Sequence, residues 1–157
     1  MLSREYQTTY CLKEVTPNDL PEYQKVAEIR EALVEVGYDR STQTQDDEIC
    51  QIYLLYFGSV AVSTLRIRHK PQVSYTIERL AVQKQVQKGN HGLEIMRQVL
   101  ARILAKLQPG EEINMVAQPP VFGFHAKLGF TPVGSFFNHR GAMVKKLVYM
   151  PEFLQKL

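Results

Sequence analysis

Two hydrophobic periods run along the chain. Leu93, Met96, Leu100, Ile103 and Leu107 recur at three- and four-residue intervals, which predicts one long helix closed by "QPGEE". An earlier stripe of Tyr23, Val26, Ala27, Leu33 and Val36 predicts another. Its entry is "TPNDLP", with Asn18 or Asp19 as N-cap, Pro21 in the first turn and Gly37 as the stop. Between and around these, short β-branched and aromatic runs predict strands. They are Thr8–Val15, a hairpin of Cys50–Phe57 and Val60–Arg68 turning at Gly58-Ser59, and Ser74–Val82 after a turn in "HKPQ". "INMVAQ", "FTPVGSFF" and "AMVKKLVYM" predict three more, with a short helix over "PPVFGFHAKLG". The polar segment "YDRSTQTQDDE" reads as a loop. The order β-α-βββ-α-β-α-ββ, with runs of strands around a strand–helix–strand crossover, predicts a mixed α/β sheet.

The bulk numbers narrow the class. At 157 residues, 45% apolar and 22% charged, residues 1–157 are expected to form one globular domain with a real core. The longest apolar runs, such as Ile52–Phe57, are strand-length, so no bilayer span is expected. The start "MLSREYQTTY" has no apolar signal region, which points to a cytoplasmic protein. The excess of 19 basic over 16 acidic side chains is mild. It does not indicate nucleic acid, and the basic run Arg66, Arg68, His69, Lys70 comes without a recognition motif. Cys11 and Cys50 stand far apart with no CxxC pattern, as expected of free thiols rather than a metal site.

The chemistry concentrates where the fourth strand meets the long helix, at "QKGNHG". A helix N-terminus offers unpaired N–H groups and a partial positive charge, a ready site for an anion. Gly89 and Gly92 let the backbone approach a ligand closely, Asn90 tolerates left-handed backbone, and Lys84 and Lys88 add positive charge. Neither GxxxxGK[ST] nor GxGxxG is present, so this is not an ATP loop or a dinucleotide fingerprint.

With its surroundings the loop resembles a known motif. "IERLAVQKQVQKGNHGLEIMRQVL" is similar to the acyl-CoA-binding motif of the GNAT acyltransferases: a strand ending in Val, four residues, then (Arg/Gln)-x-x-Gly-x-(Gly/Ala). Gln87 takes the first position, Asn90 replaces the first glycine and Gly92 takes the last. Downstream, "NMVAQPPVFGFHAKLGFTPVG" resembles that family's strand, Asn/Gln and "FYxKLGFxxVG", with Gln118 at the amide and Lys127-Leu128-Gly129-Phe130 matching in turn. The resemblance runs from about Leu20 to Tyr149 and is nearest to small bacterial ElaA-like members.

What it implies is specific. The mostly antiparallel sheet should splay between its fourth and fifth strands to admit acetyl-CoA as cosubstrate. Backbone groups of Leu80, Ala81 and Val82 would meet the pantetheine, and the amides of Gln87, Lys88, Gly89, Asn90, His91 and Gly92 the pyrophosphate. An N-acetyltransferase acting on a primary amine of a small molecule or protein follows, with a homodimer common in the family. Glu78, on the strand that should meet the thioester, is the candidate base, or else pairs with Arg66, Arg68 or Arg79. His125 stands where the family has Tyr. An imidazole near its ordinary pKa of about 6.5 would there keep both protonation states available to serve the leaving thiolate. His91 reads as helix surface, and His139 is displaced from the family's "GIPH" position. Asp46, Asp47 and Glu48 form an acidic loop that is either solvated or attractive to a cationic amine. Two alternatives stay open: a synthase of the acylhomoserine-lactone or N-acyl amino acid type with longer donors, and an acyl-CoA-binding sensor without turnover.

Overall fold

The computed structural model describes residues 9–151. Its elements follow the expected order: β1 (Tyr10–Val15), α1 (Leu20–Glu35), β2 (Gln51–Phe57), β3 (Val60–Lys70), β4 (Ser74–Val82), α2 (His91–Lys106), β5 (Glu112–Ala117), α3 (Phe122–Ala126), β6 (Phe130–His139) and β7 (Ala142–Tyr149). The strands form one sheet in the order β1-β2-β3-β4-β5-β7-β6. Every pairing is antiparallel except β4–β5. Thr8, taken as the start of the first strand, lies outside the described residues.

Helices cover both faces, which explains the unbroken apolar run of β2. Tyr53 and Leu55 pack on one side with Ile95, Met96, Val99 and Ile103 of α2. Ile52, Leu54 and Tyr56 pack on the other with Val26, Ile29 and Leu33 of α1. A strand buried on both faces has no polar side to show. The first-helix stripe needs one correction: Ala27 is exposed and Val36 is 56% exposed, while Ile29 and Arg30 face inward. Asp19 occupies the N-cap, but its carboxylate accepts from the Thr16 N–H (2.8 Å) instead of capping α1. Gly37 does end the helix, at φ 112°.

The segment after α1 is not a solvated loop. It makes two 3-10 turns, Arg40–Thr42 and Asp47–Ile49, and Asp47 is 2% exposed.

Two features open the sheet. The β4–β5 ladder joins only Ser74–Ile77 to Glu112–Met115, after which the strands run on to Val82 and Ala117 unpaired with each other. At the same place β4 carries a bulge against β3, where register passes from Arg66↔Glu78 to Thr64↔Ala81. Arg79, at φ 58°, takes up the irregularity. An extra residue re-aims the strand, so Ile77 packs on the α2 side and Ala81 on the α1 side. Beyond it, β5 turns to its other neighbour, pairing Asn114–Ala117 with Lys145–Val148 of β7.

Candidate functional site

The gap between the diverging strands is a cleft of about 800 Å³. It brings together almost every residue singled out in the sequence: Glu78, Leu80, Ala81, Val82, Gln87, Lys88, Gly89, Asn90, Gly92, Gln118 and His125 all line it. His91 does not. Its imidazole is buried on the far side of the loop, hydrogen-bonded to the Tyr10 hydroxyl (2.9 Å) and lying against the Tyr10 and Phe57 rings. The expectation of a surface histidine therefore fails, because the first turn of α2 packs down on the edge of β1 and β2.

That seat shapes the loop. A Cβ on Gly89 would lie 2.5 Å from the His91 Nε2, and one on Gly92 would lie 3.2 Å from Val82 Cγ2 and 3.6 Å from Phe124 Cζ. The glycines are therefore close-approach residues: both have negative φ and are not needed for left-handed backbone. Asn90 likewise sits at φ −88°, ψ 32°, so the left-handed conformation expected of it is absent; it is the N-cap, and its side chain makes no cap bond. The Asn90 carbonyl accepts only the Glu94 N–H (2.9 Å). The N–H groups of His91, Gly92 and Leu93 precede any intrahelical partner and remain free for a ligand. Lys88 stands at this end of the cleft, while Lys84 is drawn into an ion pair with Glu35.

Across the cleft, Gln118 donates from Nε2 to the Val36 carbonyl (2.8 Å), tying the end of β5 to the orphan carbonyls of α1. His125, on α3, is 2% exposed with its Nδ1 unpartnered, edge-on to Phe124. Burial lowers its pKa to about 4. The sequence-based reason for choosing it, an imidazole with both forms populated near neutrality, is thus overturned: His125 is neutral there.

Glu78 faces the cleft but is tightly held. Its Oε1 accepts from Arg66 Nε (2.9 Å) and its Oε2 from Arg68 Nε (3.3 Å). Burial opposes ionisation, but the two guanidiniums win and hold the carboxyl below its ordinary pKa. Arg66 continues to Asp47 (2.8 Å), which also accepts from Arg30 (2.7 Å) and the Tyr23 hydroxyl (2.6 Å). The acidic triplet is thereby corrected: Asp47 is a buried, neutralised hub, and Asp46 pairs with Arg68 (3.1 Å). A cation in the cleft meets little of their charge.

At the other end sequence reasoning assigned no role: Tyr38 and Arg140 went unremarked, Arg79 figured only as a candidate partner of Glu78, and His139 only as displaced. Arg79, Arg140, Tyr38 and His139 line the cleft beside Glu78. Arg140 lies over the Tyr38 ring (4.6 Å) and donates from Nε to His139 Nε2 (3.2 Å). Burial, then Arg140 and Arg79, lower the His139 pKa, so it too is neutral. The available signals were an arginine inside an apolar stripe at Arg30, and Arg140-Gly141 in a tight turn. Among the described residues no group of His, Cys, Asp and Glu could hold a metal.

Comparison with known proteins agrees with this geometry. The family model for the acetyltransferase (GNAT) domain matches residues 15–147. No curated protein matches the chain. Among solved structures, Escherichia coli ElaA superposes with a TM-score of 0.71 at 15% identity, covering 89% of this chain and 99% of that one. FeeM, an N-acyl amino acid synthase from uncultured soil microbes, gives 0.68 at 15%, covering 95% and 94%. A GNAT family acetyltransferase from Elizabethkingia anophelis with acetyl-CoA bound gives 0.65 at 12%, covering 88% and 94%.

Proposed function

The chain belongs to the GNAT acetyltransferase family, and on that premise we propose that it moves an acetyl group from acetyl-CoA to a primary amine of a small molecule or protein. The observation that carries this reading is the cleft itself, opened by the short β4–β5 ladder and ending on the free amides at the head of α2. Bare Gly92 leaves the cleft wall at Val82 and Phe124 uncrowded, and bare Gly89 lets the loop close over the His91 ring, so the residues present fit a pyrophosphate at the helix head. The acetyl-CoA held on the same fold in the Elizabethkingia protein supports it.

In this reading Gln87 to Gly92 hold the pyrophosphate, with Lys88 adding charge, and the unpaired edge of β4 at Leu80–Val82 faces the pantetheine. Acetyl-CoA supplies an activated acyl carbon and a thiolate that leaves readily. This chain's task is to orient the amine, keep bulk water from the thioester and accept the amine's proton. Glu78 is the proposed proton acceptor: Arg66 and Arg68 keep it ionised at every working pH, though they also make it a weak base, best served through a bridging water. His125, being neutral, is proposed to donate a hydrogen bond to the departing sulfur rather than a full proton. A longer acyl donor is the second reading, favoured by the apolar wall of Leu33, Val36, Val116 and Val121 in the cleft. The work ascribed to FeeM by its name is compatible with it.

The test is a thermal melt with acetyl-CoA, CoA, octanoyl-CoA and 3′-phosphoadenosine, followed by thiol release against an amine panel. At one hundred times Kd a ligand stabilises by about 2.7 kcal/mol, a rise in Tm of roughly 5–10 °C for a domain of this size. No shift at millimolar acetyl-CoA overturns the proposal; a shift with octanoyl-CoA alone favours the longer donor.

A further inference from the structure

Charge at the acceptor end of the cleft does not balance. Arg30 and Arg66 are matched by Asp47, and Arg66 and Arg68 by Glu78, with Asp46 also on Arg68. Arg79 and Arg140 have no carboxylate within 4.0 Å among the described residues. Arg79 is only 6% exposed, and its Nε has no hydrogen-bond partner at all. Its Nη2 donates to the Thr42 carbonyl (2.9 Å), and the Nη1 of Arg140 approaches the Thr42 hydroxyl (3.4 Å), so both guanidiniums converge on one residue.

Two like charges are not gathered beside a cleft without cost. Burial, then Arg140 and Arg66, lower the Arg79 pKa to about 9. Both arginines, moreover, take left-handed backbone, Arg79 at φ 58° in the β4 bulge and Arg140 at φ 51° in the β6–β7 turn. Non-glycine residues adopt that region at a cost, and such strain gathers at ligand sites. Stability alone would favour a carboxylate beside them.

We infer that the acyl acceptor is an amine that carries its own acidic group, a carboxylate or a phosphate, which Arg79 and Arg140 bind while Glu78 faces the amine. This rests on the acyltransferase reading above and names the substrate class of that site. Guanidinium forks match both anions in geometry. The surplus positive charge also lowers the pKa of an ammonium brought into the cleft, so the amine is more readily delivered neutral. A polyamine meets repulsion instead.

The test compares matched acceptors by thiol release from acetyl-CoA: phenylalanine against phenethylamine, alanine against ethylamine, phosphoethanolamine against ethanolamine, and spermidine. The acidic member of at least one pair is expected to exceed its partner by about 30-fold in kcat/KM. Arg79→Gln and Arg140→Gln should abolish that advantage by raising KM, with Arg140→Lys restoring part of it. The partner amine, lacking the acidic group, should lose less than the acidic member in each variant, so the readout is the ratio within the pair falling towards one. Arg140 is half-buried in a turn and, unlike Arg79, is not in the sheet bulge, so its variant serves even where Arg79→Gln fails to fold. Which pair shows the preference separates carboxylate from phosphate. Equal rates within every pair, a preference for spermidine, or an acidic preference that survives both substitutions overturns the inference. CoA binding, read by calorimetry on the same samples, separates the two failures: its absence sinks the acyltransferase reading, its presence with no acidic preference sinks only this one.

Discussion

His125 shows how far a side chain's surroundings can move its chemistry. Unfolded, its pKa is near 6.5; buried on α3 it falls to about 4. Between those values the unfolded chain holds a proton that the native protein does not, so stability falls as pH drops from about 6.5 to 4 and levels out below. The full loss is on the order of 3 kcal/mol. Denaturant titrations across that window should show it, and His125→Phe should flatten the wild-type curve by that amount; an unchanged slope would mean the imidazole is not buried neutral. Glu78 makes the complementary case. Because Arg66 and Arg68 keep it ionised, the activity profile above pH 5 should carry no titration of its own, and Glu78→Gln should lower kcat by on the order of 100-fold while leaving the acetyl-CoA thermal shift intact. Full turnover in that variant would remove Glu78 as proton acceptor.

The head of α2 and its loop act as one piece, because the His91 ring occupies the space a side chain at position 89 would need. Gly89→Ala should cost about 1–3 kcal/mol and weaken acetyl-CoA binding. Adding His91→Ala should recover part of the stability, a coupling that a double-mutant cycle by urea denaturation would read; strict additivity would show that the two positions do not meet. This element was legible where its signals are local. The helical period of α2, the strand limits of β4 and the glycine spacing are all written in neighbouring residues. What misled was inference about conformation from residue type: Asn90 suggested left-handed backbone and does not use it, while Arg79 and Arg140, which do, carry no such preference. The first helix was blurred for a related reason, since its inward face includes Arg30 and a hydrophobic pattern counts an arginine as outside.

Across the whole molecule, the decisive contacts are those that sequence distance hides. Asp47 joins α1, β3 and the segment before β2 through Tyr23, Arg30 and Arg66, partners that no local spacing relates. Asp47→Asn leaves two buried guanidiniums short of a charge and should cost about 3–5 kcal/mol, measurable as a large drop in urea midpoint; a loss under about 1 kcal/mol would show the hub to be screened by solvent. Its pKa is held below the ordinary value by Arg30 and Arg66 against the pull of burial. Its stabilisation is therefore present above about pH 4 and fades as pH falls through the lowered value. The short ladder between β4 and β5 has a mechanical meaning as well. Seen as a fracture, the gap is a crack already cut into the sheet, with its tip at Ile77 and Met115. Beyond it, β5, β7 and β6 form a leaf joined to the rest of the sheet by four rungs and the Thr76–Asn114 bond, by the Gln118 tie and the turn at Arg140, and by Met115, Phe130 and Leu147 packed in the α2 core. Warming should advance the tip before it loosens β2 or β3, and whatever bridges the crack mouth should arrest it, so that amide exchange at Thr76, Ile77 and Met115 becomes a gauge of occupancy.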